Sequence, residues 1–475
     1  MKVTTTFIWI ITSAFWGCQQ KQTITIEWTS SDARQQWNTQ RLSVSGLKGS
    51  VDENAITIHP GEERQQMDGF GGCFNELGWE ALSILEKAER EEVMASLFGQ
   101  EGCRFNICRM PIGASDFAVD WYSHNETQGD FQMENFSIDR DKKRLIPYIK
   151  AAQALQPNLQ VWGSPWSPPA WMKRNDHYAC LPGEANDLPE EGRGKEKDFL
   201  PLETQFQMEK EYLDAYALYF SRFLSAYEEE GIDLYAVHVQ NEPNSCQVFP
   251  SCLWMPKDLA TFIGDHLGPE LSKKHPNTEL WLGTIERPQI SRIDTTVLDE
   301  KARQYIKGIG FQWAGKGAIP DVHKKYPAYR LMQTETECGD GSNDWEAAVY
   351  TFDLMKHYFN NGVNSYMYWN MILNETGKSQ WGWKQNSMIT VDTESKKVTY
   401  NPEFYLMKHF SHYIQPGAMN VASSDPNALA FKSANELVIV YYNPEAQTMK
   451  RFIVGNETFE VELAGQSFNT FVMPI

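Results

Sequence analysis

The stretch LYAVHVQNEPN, residues 234–244, runs apolar and then ends on a polar triplet, Asn241-Glu242-Pro243. The apolar half reads as a buried strand, and Pro243, with no N–H to donate, ends the ladder. In a parallel barrel this puts Glu242 at the C-terminal tip of a strand, where such folds carry their chemistry. A carboxylic acid there can give a proton to a leaving oxygen if burial or a nearby like charge raises its pKa. That chemistry calls for a second carboxylate, and LMQTETE, residues 331–337, is an apolar strand running into Glu335 and Glu337. Residues two apart on a strand point the same way, so spacing leaves both acids open. Two carboxyls ~5–5.5 Å apart across one barrel mouth define a retaining glycosidase, with one acid/base and one nucleophile. A single strand-end Glu, taken alone, is more often just the partner of an Arg at the rim.

The neighbours of these acids favour the chemical reading. Trp162, Trp166, Trp171, Trp313, Trp369, Trp381 and Trp383 all fall at or just after predicted strand ends, where indole faces suit the C–H face of a sugar ring. Arg109, near the end of the second predicted strand, is expected to sit beside the nucleophile and hold its pKa down, leaving Glu242 as the protonated acid.

Strand and helix signals alternate through the middle of the chain. Strands are predicted around Phe70 and over residues 104–110, 159–163, 234–240, 280–284, 308–313, 330–334 and 365–369, which is the (β/α)8 count. Between them, helical segments are expected over residues 79–98, 139–154, 203–230, 256–274, 295–306, 320–325, 345–360 and 402–413. Short alternating strands over residues 23–28, 41–44 and 55–59 and again past residue 413 form a β-sandwich from both chain ends. The expected division is therefore a leader over 1–18, sandwich strands over 19–66, an α/β TIM barrel over 67–413, and the rest of the sandwich over 414–475. The Gly-rich turn MDGFGG, residues 67–72, has neither GxGxxG spacing nor the Lys-Ser/Thr of a phosphate-binding loop and reads as a tight strand-to-helix connection. The segment 180–198, rich in Gly, Pro and charge, reads as a mobile surface insertion.

With 475 residues, 41% hydrophobic and 22% charged, the chain can bury a large core. A formal net charge of −19 argues against nucleic acid as a partner. Lys2, an apolar run over 7–15 and Trp16-Gly17-Cys18 fit a bacterial secretion signal ending at a lipid-accepting Cys18, so the protein is expected to be exported, with membrane contact only through that anchor. Plain secretion is the alternative. The seven remaining cysteines, 73, 103, 108, 180, 246, 252 and 338, contain no CxxC pair and form no readable zinc site; at most Cys246 and Cys252 bridge within one loop.

Seven motifs, in order, carry a family resemblance: DGFGGCFNELG (68–78), FNICRMPIGASDF (105–117), GSPWSPPAWMK (163–173), HVQNEPN (238–244), LMQTETECGDG (331–341), and YWNMIL (368–373) with WGWKQNSM (381–388). The sequence resembles glycoside hydrolase family 30, which includes acid β-glucosylceramidase and microbial β-1,6-glucanases. The resemblance implies a barrel with a side β-sandwich and hydrolysis with retention. It marks Glu242 as acid/base, Glu335 as nucleophile, Asn241 as the partner of the sugar 2-hydroxyl, and Asp116, Trp171, Trp369 and Asn386 as ligands of the non-reducing-end sugar. The implied substrate is a β-glucan or β-glucoside, a glycolipid included, and the chemistry needs no cofactor or metal. Ala314 stands where the lysosomal glucosylceramidase has an aromatic residue. β-Xylosidase or β-fucosidase specificity, and a non-catalytic glycan-binding surface lipoprotein, are the alternatives.

Overall fold

The structure, a computed structural model, describes residues 23–45, 55–189 and 203–475; the leader with Cys18 and residues 190–198 of the 180–198 insertion lie outside the described residues. The centre of the chain is a closed parallel barrel. Its strands are Gly69–Cys73, Ile107–Pro111, Gln160–Ser164, Leu234–His238, a fifth in two pieces, Glu279–Trp281 and Thr284–Ile285, then Gly308–Gln312, Arg330–Glu335 and Ser365–Asn370. The eighth strand pairs with the first through Ser365 and Gly69. Four of these eight strands are buried along their whole length and the others at all but one residue, as expected where helices cover the outside and side chains fill the inside.

The fifth strand breaks for a physical reason. Glu279–Trp281 pairs with the fourth strand and Thr284–Ile285 with the sixth, and between them Gly283 takes φ +145°. A Cβ at that position would stand 3.0 Å from the carbonyl oxygen of Gln240. The carbonyl of Gly283 is free to accept from Gly310 N–H at 3.0 Å and from His238 Nδ1 at 3.1 Å. The turn thus closes the barrel and aims Thr284 at the tip of the fourth strand.

Several helices differ from the sequence expectation. The segment 79–98 is two helices, Glu76–Ser83 and Lys87–Phe98, because Glu86 and Glu89 form a capping box that starts a new helix. The long helix begins at Lys210, not at 203; Gln205 and Gln207 are tied in extended form to Leu253 and Met172. The helix expected over 295–306 lies earlier, Ile290–Val297. The span 256–274 is helical but carries a π-helical turn, Phe262–Leu267.

Both chain ends meet in one nine-stranded sheet. Its order runs Asn38–Ser45, Thr23–Ser31, Ser467–Pro474, Glu436–Asn443, Ala428–Lys432, Met419–Ser423, Ile56–Gln66, Thr448–Val454, Glu457–Leu463. The two ends of the sheet fold over each other, bringing Phe452 and Phe459 onto Phe471 at ring distances of 5.0 and 5.3 Å. His409, on the last barrel helix Pro402–Ser411, joins this module to the barrel. Its two ring nitrogens lie 2.8 Å from Thr470 Oγ1 and Ser31 Oγ, and burial pushes its pKa down to about 3, so the ring stays neutral.

Replacing Gly283 by Ala forces a side chain into a left-handed backbone and against Gln240. The expected cost is about 1–3 kcal/mol, read as a lower midpoint in denaturant unfolding at unchanged slope; a stability equal to wild type would refute the constraint.

Candidate active site

Four barrel strands converge on one guanidinium. Arg109, on the second strand and fully buried, donates through Nε and Nη2 to Ser164 Oγ at 3.2 and 2.9 Å. Its Nη2 also reaches Asn241 Oδ1 at 2.6 Å, and its Nη1 reaches Glu335 Oε2 at 2.9 Å. The faces of Trp162, Trp166 and Trp369 surround it at 5.1, 4.3 and 5.5 Å, so the cation is bonded at its edge and walled by π-clouds on its faces.

Gln312 ties the two acids together. Its Oε1 accepts from Thr334 Oγ1 at 2.9 Å, which turns Nε2 toward the carboxylates. That nitrogen lies 3.2 Å from Glu242 Oε1 and 3.1 Å from Glu335 Oε2. Glu335 also accepts from Trp313 Nε1 at 3.1 Å, and Glu242 from Gln247 Nε2 at 3.3 Å. Glu242 and Trp313 both hold left-handed backbones, φ +48° and +47°, unusual for side-chain-bearing residues and typical of functional sites. The N–H of Glu242 is held by Thr284, at 3.2 Å from both its carbonyl and its hydroxyl oxygen.

Burial dominates the electrostatics. It raises Glu335 to about 7, with Arg109 opposing and the charge of Glu242 adding to the rise. This corrects the sequence expectation: Arg109 does sit beside Glu335 and lowers its pKa, but desolvation outweighs it. Burial likewise raises Glu242, opposed by Gln312 and Arg287. Asp116 is raised far more, by burial first and then by Glu335 and Glu242. These acids share a cavity of about 480 Å³ with Trp166, Asn241, Trp313 and Trp383, a size suited to small ligands.

The family model for the glycosyl hydrolase family 30 TIM-barrel domain matches residues 67–414. The chain belongs to glycoside hydrolase family 30. It is 28% identical to the lysosomal acid glucosylceramidase of Mus musculus, covering 77% of this chain and 72% of that one. It is 24% identical to an endo-1,6-beta-D-glucanase of Neurospora crassa, covering 82% and 80%. Among solved structures, SrfJ from Salmonella typhimurium superposes with a TM-score of 0.83 at 25% identity, over 94% of this chain and 99% of that one.

Within this family 30 barrel, the sequence-predicted residues divide. Glu242, Glu335, Arg109, Asn241, Trp313 and Asp116 come together at the cavity. Glu337 turns away, bonded to Lys316 Nζ and Tyr350 Oη at 2.6 Å each. Of the seven tryptophans, Trp166, Trp313 and Trp383 line the cavity. Trp162 is core, packed on His238 at 4.1 Å. Trp369 stacks beneath Trp166 at 5.3 Å and is fully buried. Trp171 packs on Phe131 and donates to Asn125 O, and Trp381 rests on Tyr178.

Asn386 is also displaced from its expected role. Its Oδ1 accepts from Gly341 and Asn343 N–H, and its Nδ2 donates to Glu403 Oε1 at 2.8 Å, so it pins a loop while its neighbour Gln385 lines the cavity. Sequence reasoning missed Gln312, Gln247 and Glu286. Glu286 is fully buried, accepts from Ser245 Oγ at 2.7 Å and Asn244 Nδ2 at 3.3 Å, and is raised to about 7 by burial and then by Glu242. Its signal was available: it directly follows the fifth strand, as Glu242 follows the fourth.

Glu403, buried under Asn386, is raised from 4.5 to about 7 by desolvation. Between those values the folded protein binds the proton and the unfolded chain does not, so stability falls as pH rises from 4.5 toward 7 and then levels off. Glu403→Gln removes this contribution, worth about 3 kcal/mol at most. Unfolding midpoints measured across that range should slope less in the variant; identical slopes would exclude Glu403 as the source.

Proposed function

We propose that this enzyme is a retaining β-glucoside hydrolase that works by double displacement, with Glu335 as nucleophile and Glu242 as acid/base. The observation that carries the reading is the shared amide of Gln312. One nitrogen lies 3.2 Å from an oxygen of Glu242 and 3.1 Å from one of Glu335, which caps the oxygen–oxygen separation at their sum, about 6.3 Å. Inverting enzymes need ~6.5–9.5 Å to seat a water between the acids, while retaining enzymes use ~5–5.5 Å.

The donor sets support the division of roles. Glu335 accepts three N–H bonds, one from a guanidinium, whereas Glu242 accepts two longer amide contacts. When the pair holds one proton, that proton therefore resides on Glu242. In the first step Glu335 attacks the anomeric carbon, the glycosidic C–O bond breaks, and Glu242 gives its proton to the departing oxygen. In the second, Glu242 takes a proton from water, whose oxygen displaces Glu335 from the sugar. Three donors saturate Asn241 Oδ1, from Arg109, Thr284 and Gln312, which leaves its Nδ2 for the sugar 2-hydroxyl. Asp116, whose pKa is raised by burial first and then by Glu335 and Glu242, donates to a hydroxyl farther along the ring.

For the leaving group, a glucan is favoured over a ceramide. The cavity mouth mixes the aromatic faces of Phe249 and Trp383 with Gln247, Arg287, Lys384 and Gln385, groups that bond hydroxyls, and Ala314 leaves room beside Trp313. Export with a lipid anchor at Cys18 fits an enzyme working on external glycan.

An activated 2-deoxy-2-fluoro-β-glucoside should leave a covalent label on Glu335, located by peptide mass mapping; label on Glu337, or inverted product by NMR, would overturn the reading. Glu242→Gln should slow substrates with poor leaving groups by about 10²–10⁴ and spare the first step for those with good ones. The wild-type rate should be bell-shaped in pH, falling in acid as Glu335 is protonated and in alkali as Glu242 ionises. Loss of activity in acid only would remove Glu242 as the acid.

A further inference from the structure

The loop after the third barrel strand and the loop that follows Glu242 are joined close to the cavity. Ala179 bridges to Pro250, and the N–H groups of Cys180 and Leu181 both donate to the carbonyl of Gln247, at 3.0 and 2.9 Å. Asn186 Nδ2 donates to Val248 O at 2.6 Å. Beneath the junction the buried ammonium of Lys173 holds both sides, donating to Tyr178 O at 2.7 Å and Ser251 O at 2.6 Å. The start of the insertion is therefore docked, which corrects the expectation of a mobile surface segment for its described part.

At the centre of the junction two thiols meet. Cys180 is fully buried, its sulfur 3.4 Å from Ser251 O, and its backbone N–H is bonded to the carbonyl of Gln247, the residue next to Cys246. Cys246 is half-buried and reaches solvent, whereas Cys73, Cys103, Cys108, Cys252 and Cys338 are buried. Cys246 and Cys252, the intraloop pair expected from spacing, are both free thiols. We propose that Cys180 and Cys246 are a disulfide site that links the loop after the third strand to the loop carrying Gln247.

The chemistry is supplied locally. Cys246 first, and Lys173 less strongly, hold the Cys180 thiol down to about 5 against the opposing pull of burial, while the Cys246 thiol is pushed up, which favours Cys180 as the sulfur that closes the bond. Cys246, the sulfur that solvent reaches, gives up its proton and attacks an external disulfide such as oxidised glutathione, forming a mixed disulfide and releasing one glutathione thiolate. Cys180 then attacks the Cys246 sulfur and displaces the second glutathione. The two protein thiols give up two electrons and two protons, and the external disulfide is reduced to two thiols. Because Gln247 adjoins Cys246 and donates to Glu242 Oε2, the cross-link also restrains a group on the acid/base; this part alone rests on the proposed activity.

The test compares the full protein equilibrated with excess oxidised glutathione and with dithiothreitol, each denatured in iodoacetamide and mapped by mass spectrometry. The expected result is a peptide pair joined through Cys180 and Cys246 in the oxidised sample only, with Cys252 alkylated in both, and a Tm several degrees higher when oxidised. Alkylation of both Cys180 and Cys246 after oxidation, or a link from either to Cys252, would overturn the proposal. Cys246→Ser should fold with the reduced protein's Tm and lose the oxidant-dependent rise; a rise that persists in this variant also overturns it. Reduction should raise KM or lower kcat for an aryl β-glucoside in the wild type and leave Cys246→Ser unchanged. Absence of turnover in every sample would count against the proposed activity, while the peptide map still decides the disulfide.

Discussion

The buried guanidinium of Arg109 is the constraint on which the rest of the site depends. A cation taken wholly out of water is tolerated only if its donors are satisfied and its charge is answered. The barrel meets that demand from several strands at once: Ser164 from the third, Asn241 just beyond the fourth, Gln312 from the sixth, and Thr334 with Glu335 from the seventh. Each of these groups is fixed by Arg109 and in turn fixes something else. Asn241 is bonded to Thr284, and Gln312 to Glu242. The charge therefore sets the positions of both acids, although it touches one of them. A lysine in its place would present a single ammonium on a flexible stem and could not hold so many partners in register.

Around that hub the backbone departs from regular geometry where chemistry needs it. The fifth strand breaks at Gly283 so that Thr284 turns toward Asn241 and Glu242, and Glu242 and Trp313 take left-handed conformations that aim their side chains across the mouth. The stable eight-stranded frame carries this local strain. The nine-stranded sheet built from both chain ends adds to the frame through His409 and through Phe468, which packs on Trp345 and Phe352.

Residues with a one-dimensional signature were legible before the fold was known. The apolar runs of parallel strands and the acids at their tips led to the barrel, to Glu242 and to the choice between Glu335 and Glu337. The choice between those two acids was not local: it depends on Lys316 and Tyr350, which hold Glu337 on the far side. The tryptophans were over-read because position near a strand end does not distinguish an indole facing the cavity from one filling the barrel. Trp162 and Trp369 are needed to wall Arg109, a role that emerges only when the barrel closes and brings the third and eighth strands to either side of the first and second. Gln312 was passed over because a neutral amide has no chemistry of its own; its importance comes from standing between two charges. Helix starts were misplaced where a capping box at Glu86, or the tethering of Gln205 and Gln207 ahead of Lys210, overrode apolar periodicity.

The balance of charge explains why the mouth of this barrel must carry protons. Glu242, Glu335, Glu286 and Asp116 are all buried, while Arg109 is fully buried and Arg287 is only partly so. Desolvation raises all four acids, and each raised acid that ionises raises its neighbours further. Arg109 can answer one full negative charge at close range, and its contact goes to Glu335. The others then stay protonated most readily where donors are fewest, at Asp116, whose Oδ1 has no hydrogen-bond partner among the described residues, and next at Glu242. Crowding acids around one cation thus creates an ionised carboxylate beside a protonated one without any dedicated base. The same crowding makes that arrangement sensitive to every buried acid nearby, which couples Glu286 to Glu242 although it lies outside the cavity wall.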